Sequence, residues 1–227
     1  MYLPAHYANP DAQTLHALMR AHPLATLIHQ GTDGPDADHI PLELDADDGP
    51  HGCLVGHVAR ANPVWQRAQG QAVLAVFQGP QAYISPNHYP SKALHHRVVP
   101  TWNYAVVHAH GVLQAEDDPT WVLALVTRLT QRHETASVKP WAVSDAPADH
   151  IQKLLGAIIG IRIPLTRLVG KWKISQNMGP ADRLGAAAGV EQAASRAATA
   201  WAQPQLAVAR LMRDHDSPSS AADKEPS

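Results

Sequence analysis

Between Ala25 and Phe77 the chain breaks into runs too short for helices. Ala25 to His29, His39 to Leu44, Cys53 to Val58 and Val73 to Phe77 are apolar or alternating, and clusters of Gly, Pro, Asp and Asn separate them. Short runs bounded by turn residues read as strands, and their close spacing favours antiparallel pairing over βαβ units. Further strands are expected at Gln81 to Ile84, Val98 to His110 and Val112 to Gln114, with a closing pair at Ile158 to Ile163 and Leu168 to Ser175. Helices flank them. Asp11 is placed to cap a helix carrying Leu15, Leu18 and Met19 that stops at Pro23. Asn62-Pro63 opens a short helix to Arg67, and Asp118-Pro119 opens one that bears Trp121, Leu125, Val126 and Leu129 on one face and ends near Gln131. Another runs from Ala148 to Leu155. The expected class is mainly β with flanking helices (α+β).

A length of 227 residues with 45% hydrophobic composition suits one large domain, with or without an appendage. Residues 1–183 hold the regular strands, 184–213 are alanine-rich and helix-prone, and 214–227 contain no large apolar side chain to offset their ordering entropy. The tail is expected to be disordered. A formal charge of -2 and a pI near 6.7 provide no overall positive field, so non-specific coating of DNA or anionic membrane is not expected. The single cysteine, Cys53, excludes an internal disulfide framework and a cysteine-based metal centre, which fits cytoplasmic redox conditions. No apolar run approaches the roughly 20 residues that span a bilayer, and the opening Met1-Tyr2-Leu3-Pro4 lacks the regions of a signal peptide.

Three stretches carry chemistry. Gly52 to Trp65 delivers His57 and Arg60 to the end of a strand beside the Asn62-capped helix start. A guanidinium, a ring N–H and helix amides suit a phosphate; the same residues equally suit a solvated arginine and a histidine packing a strand end. Gln78 to Asn103 groups hydroxyls, amides and aromatic rings between prolines, the mixture a flat heteroaromatic ligand needs or that a rigid surface turn contains. Gly170 to Asn177, read as a strand, puts Lys171, Lys173 and Ser175 on one face and Trp172, Ile174 and Gln176 on the other. From Ile151 to Arg183 six basic residues face one acidic residue, a local cationic run that seeks an anion or forms a solvated face.

Other signatures are missing. The chain contains no G-x-G-x-x-G, Walker A, G-x-S-x-G or H-E-x-x-H sequence. His108 and His110 share a strand face, with His95 and His96 nearby in sequence, but no carboxylate or thiolate stands at ligand spacing, so no metal site is assigned.

GHVARANPVW, FQGPQAYISPNHYPSK with VVPTWNYAVVHAHG, and GKWKISQN follow one another in the order of the signature stretches of the PaiB-type FMN-binding negative transcriptional regulators, which this chain resembles from about Met1 to Arg183. MYLPAHY, HPLATLI and HIPLEL extend the likeness. The resemblance implies a split β-barrel of the FMN-binding type, a homodimer with FMN between subunits, and a negative effect on transcription, with DNA as a conceivable partner and no membrane. Carried onto matching positions, it implies His57, Arg60 and Asn62 at a flavin-binding strand end. It also implies Ser85, Lys92, Thr101, Trp102 and Asn103 over the ring, and Lys171, Lys173, Ser175, Gln176 and Asn177 on the closing strand. Two positions depart from the pattern: His88 stands where tryptophan is usual, and Met178 where a basic residue is common.

The fold also hosts FMN-dependent oxidases and reductases, for which His88 or His108 is the candidate acid/base, and haem-binding split barrels. Turnover of NAD(P)H and the visible spectrum separate these readings.

Overall fold

The computed structural model describes residues 1–196 and 202–215. Helix α1 (Ala12–Ala21) begins where expected: the Asp11 carboxylate accepts the Thr14 N–H at 2.8 Å, and Leu15, Leu18 and Met19 form the buried stripe. Strands β2 (Leu24–Gly31) and β3 (Gly34–Pro41) follow as a hairpin in register Gly31↔Gly34. Ala25, Leu27 and His29 alternate inward along β2. Strand β4 (Glu43–Asp45) pairs with β5 (Cys53–Ala59), so the expected strand His39 to Leu44 is broken at Leu42 between two short elements.

The remaining strands are longer than their apolar runs suggest. Val73 to Phe77 and Gln81 to Ile84 are one strand, β6 (Ala72–Ile84), and the expected closing pair is one strand, β9 (Ile158–Lys173). Pro164 reads as a break in sequence, but it occupies the last register position opposite Cys53, where a missing N–H costs the ladder least. Strand β7 (Thr101–Val112) starts three residues later than expected, and β8 (Gln114–Glu116) and the two-residue β1 (Ala8–Asn9) both pair with β9. The strand order is β3-β2-β6-β7-β9-β5-β4, with β1 and β8 off that path on β9; every pairing with a described register is antiparallel.

Two compact units divide the chain. One comprises residues 11–77 and 107–169, the other residues 1–10, 78–106 and 170 onward. In the first, α4 (Pro119–Glu134), capped by Asp118, packs on β5: Leu125 joins Cys53 and Val55 in a buried cluster flanked by Trp121 and Leu129. Gly160 of β9 makes this packing possible, because a Cβ there would lie 2.4 Å from the Trp121 ring. Short helix α2 (Val64–Arg67) and α5 (Ala148–Leu155) complete this unit.

The second unit holds α3 (Lys92–His95) and the alanine-rich stretch, which forms α6 (Pro180–Arg196) and α7 (Ala202–Asp214). Ala186, Ala187, Val190 and Ala194 of α6 and Val208, Ala209 and Met212 of α7 are buried, and Arg213 pairs with Glu191 across the two helices. Of the expected tail, Asp214 ends α7, and residues 216–227 lie outside the described residues.

Candidate functional site

Five of the expected site residues converge on one cavity of about 220 Å³ in the second unit. Thr101, Asn103, Lys173, Ser175 and Asn177 line it, together with Tyr7, Tyr89, Arg97 and Met178. The first strand positions of β7 supply Thr101 and Asn103. The end of β9 supplies Lys173, and the turn after it supplies Ser175 and Asn177. Because β9 stops at Lys173, the expected alternation persists for Lys171 and Lys173 but not through Ser175, which adopts a left-handed backbone at φ 66°. A non-glycine residue held there marks a place where the surroundings over-determine the backbone.

The polar groups of this cavity are braced from behind. Lys173 Nζ donates to the Thr101 hydroxyl and to the Trp102 carbonyl. Burial, and to a smaller degree the neighbouring Lys171, lowers its pKa. Asn103 is fully buried; its Nδ2 donates to Ser175 Oγ at 2.9 Å and to Met212 Sδ at 3.4 Å, while its Oδ1 has no hydrogen-bond partner. A buried carbonyl oxygen left unpaired is costly, and a ligand N–H would satisfy it. Tyr7 donates to Asn177 Oδ1 at 3.1 Å. Burial raises the phenols of both Tyr7 and Tyr89, opposed at Tyr7 by Lys171 and at Tyr89 by a hydrogen bond with Ser175. Two cationic side chains, two phenols, two amides and two hydroxyls around a small cavity suit a flat heteroaromatic ligand with polar edges. The volume is below the roughly 300–1,000 Å³ of pockets that enclose a drug-sized ligand, so it seats part of such a ligand and not all of it.

Other expected residues in this unit serve different contacts. Lys171 is buried, donates to the Tyr2 carbonyl and stands 5.4 Å from the Tyr104 ring centre and 5.8 Å from that of Tyr2. Gln176 folds back on Trp172 and Ile174. Ser85 caps the turn at Asn87, and Lys92 donates to Asn87 Oδ1. Trp102 is half exposed, edge-on to Tyr83 at 6.1 Å. Tyr7, Tyr89 and Arg97 were not among the expected site residues. Tyr7 lies in the MYLPAHY stretch and Tyr89 beside the His88 departure, so the quoted motifs contained a signal for both.

His57, Arg60 and Asn62 belong to the first unit. Arg60 is bidentate to Asp117 and donates from Nε to the Gly156 carbonyl and from Nη2 to that of Ile158, each at 3.1 Å. The Asp117 carboxylate raises the guanidinium and is itself held low by it. Asn62 accepts the Val64 N–H and donates to Asp38, which also meets His29 at 3.1 Å. His57 lines a second cavity of about 370 Å³ with Trp141, His133 and Glu134; burial lowers its pKa, and its Nδ1 is buried without a partner. A larger cavity of about 600 Å³, between α4 and residues 142–152, contains none of the expected residues and is walled mainly by apolar, hydroxyl and amide groups. Among the described residues no three His, Cys, Asp or Glu side chains converge to hold a metal. His108 and His110 have rings 6.4 Å apart, with Arg167 at 3.0 Å from His110 Nε2.

Known proteins resemble the chain at three levels. The model of the family described as "Putative FMN-binding domain" matches residues 1–167. An uncharacterised protein of Emericella nidulans is 36% identical over 228 residues, covering 84% of this chain and 90% of the relative. Protease synthase and sporulation protein PAI 2 of Bacillus subtilis is 28% identical, covering 80% of this chain and 85% of that protein. Among solved structures, the flavocytochrome Anf3 of Azotobacter vinelandii superposes with a TM-score of 0.54 at 15% identity, over 73% of this chain and 69% of that one. The fold is therefore the flavin-binding split barrel, mostly antiparallel sheet with flanking helices.

Proposed function

Because the chain belongs to the "Putative FMN-binding domain" family, and so takes FMN as its cofactor, we propose that the cavity at the start of β7 and the end of β9 seats the flavin, and that the protein acts as a homodimeric negative regulator of transcription. The observation that carries the site assignment is the convergence of Thr101, Asn103, Lys173, Ser175 and Asn177 on one cavity in which the Asn103 carbonyl lacks a partner. Those residues fit FMN: Lys173 and Arg97 offer charge to an anionic or electron-rich edge, Asn103 offers an acceptor, and Tyr7 and Tyr89 offer aromatic walls. Bound FMN would supply hydride and electron transfer. The chain's part is to orient the ring and to hold positive charge beside it.

The small cavity supports the dimer, since a ligand only partly enclosed by one chain is completed by a second. The regulatory role draws on the PaiB resemblance and on the Bacillus relative's name. Direct reading of DNA by the cationic run is not favoured, because five of its six basic residues have contacts or burial within the protein, and among the described residues of the run only Lys153 stands exposed without such a contact. Arg162 pairs with Asp48, Arg167 meets His110, Lys171 and Lys173 make the contacts above, and Arg183 is buried.

The test begins with the visible spectrum of the purified protein, which separates flavin from haem, followed by titration of apoprotein with FMN. Light scattering at micromolar concentration then tests the dimer. A flavoenzyme reading uses the same cavity, with Tyr7, Tyr89 and Lys173 as its proton-bearing groups, and steady NAD(P)H oxidation by the FMN-loaded protein would replace the regulatory reading with it.

A further inference from the structure

The α6–α7 hairpin lies beyond the residues matched by the family model, yet it reaches the cavity residues at two places within their own compact unit. The first contact is through Asp182, in the first turn of α6. Its two carboxylate oxygens accept the Ser91 N–H at 2.9 Å and the Ser91 hydroxyl at 2.6 Å. Ser91 is two residues from Tyr89, whose buried ring walls the cavity. On the same helix Gly189 lies so close to His88 that a Cβ would sit 2.2 Å from its ring, and a Cβ at Gly185 would sit 2.6 Å from the His88 carbonyl. The segment His88 to Ser91 is thus clamped onto α6 by backbone proximity and a charge-assisted pair of hydrogen bonds. The second contact is through Met212 of α7, fully buried, whose sulfur takes one N–H of Asn103. That bond and the one to Ser175 fix the amide plane, and so fix where the unpaired Asn103 oxygen points.

We infer that the α6–α7 hairpin is a positioning element of the flavin site, acting through Asp182 on the Tyr89 wall and through Met212 on the Asn103 amide. This rests on the site assignment above and adds a segment that the family match does not include. Neither side chain needs to touch the ligand: each orients a residue that does.

The experiment uses full-length protein and FMN as probe. Asp182→Asn keeps the shape and removes the charge from the Ser91 contact; Met212→Leu keeps the volume and removes the sulfur acceptor. Glu191→Gln breaks the exposed Arg213 pair that ties α6 to α7 and touches no cavity residue, so it reports the effect of loosening the hairpin alone. Expected are a three- to ten-fold weaker FMN affinity for Asp182→Asn and a two- to four-fold loss for Met212→Leu. Both should shift the visible bands of bound flavin, while Glu191→Gln keeps wild-type affinity and bands. Should Asp182→Asn fail to fold, Ser91→Ala, which removes one of the two bonds, carries the same expectation at smaller size. Wild-type protein that binds FMN while Asp182→Asn and Met212→Leu bind it equally well with unchanged bands would overturn the inference. Losses that track melting temperature across all three variants would overturn it too. Wild-type protein that does not bind FMN would instead overturn the site assignment beneath it.

Discussion

Lys173→Met separates a ligand-binding lysine from a structural one by the sign of its effect on the apoprotein. In the folded chain the ammonium uses two of its three donors on Thr101 and on the Trp102 carbonyl, which leaves one for a ligand. Its pKa is lowered, burial being the larger cause and Lys171 the smaller, so these surroundings disfavour the charge. A neutral side chain of similar length therefore leaves the apoprotein as stable as wild type or more so. FMN binding behaves oppositely. Loss of one charge-assisted hydrogen bond, worth about 1.5–3 kcal/mol, weakens FMN by roughly 10- to 150-fold.

The pH dependence follows from the same shift. With a folded pKa below its unfolded value, Lys173 binds fewer protons in the folded state, so apoprotein stability rises with pH from the folded pKa up to the unfolded one near 10.4. FMN affinity falls over the start of that window as the cation is lost. Isothermal titration in steps of rising pH up to the unfolded value near 10.4, with apo melting curves of wild type and Lys173→Met at each step, reads both effects. An apo mutant that melts well below wild type while binding FMN normally would refute the reasoning and make Lys173 a structural cation.

Gly160→Ala drives a methyl into the Trp121 ring, and overpacking of this kind costs about 1–3 kcal/mol, a drop of roughly 2–12 °C in melting temperature that Trp121→Leu should partly relieve in the double variant. Arg60→Ala removes the clamp on Asp117, Gly156 and Ile158, so apo melting temperature should fall, and any loss of FMN affinity should be matched by riboflavin. His57 is held neutral by burial, so below about pH 6.5 the unfolded chain takes up a proton the folded chain refuses, and stability falls until the folded pKa is reached. His57→Gln should flatten that slope in urea unfolding measured from pH 7 to 5.

The sequence made the strands legible because their inward alternation is local: Ala25, Leu27 and His29 declare a buried face without reference to any partner. It misplaced the joins of β6 and β9 because glycine and proline break a strand or are carried through it according to which neighbour lies opposite, and that is a long-range fact. Pro164 is tolerated by its place at the end of the β5 pairing, which no local pattern records. The helix caps at Asp11 and Asp118 were legible for the converse reason, each being settled within three residues of itself.

The site divides along the same line. Thr101, Asn103, Lys173, Ser175 and Asn177 were named from two stretches about 70 residues apart, and the antiparallel sheet brings the start of β7 and the end of β9 to one cavity. Arg60 illustrates the opposite case. From sequence its guanidinium read as a phosphate ligand or as a solvated arginine, because its acceptors, Asp117 and the carbonyls of Gly156 and Ile158, lie 57 to 98 residues away. The fold gives the guanidinium four internal hydrogen bonds, whereas Lys173 keeps a donor spare and carries a depressed pKa. A cation already matched by a carboxylate gains little from an anionic ligand, while one held in a site that disfavours its charge gains the most. Under the proposed flavin site, that contrast is the reason to test Lys173 before Arg60 as the cation that meets the ligand.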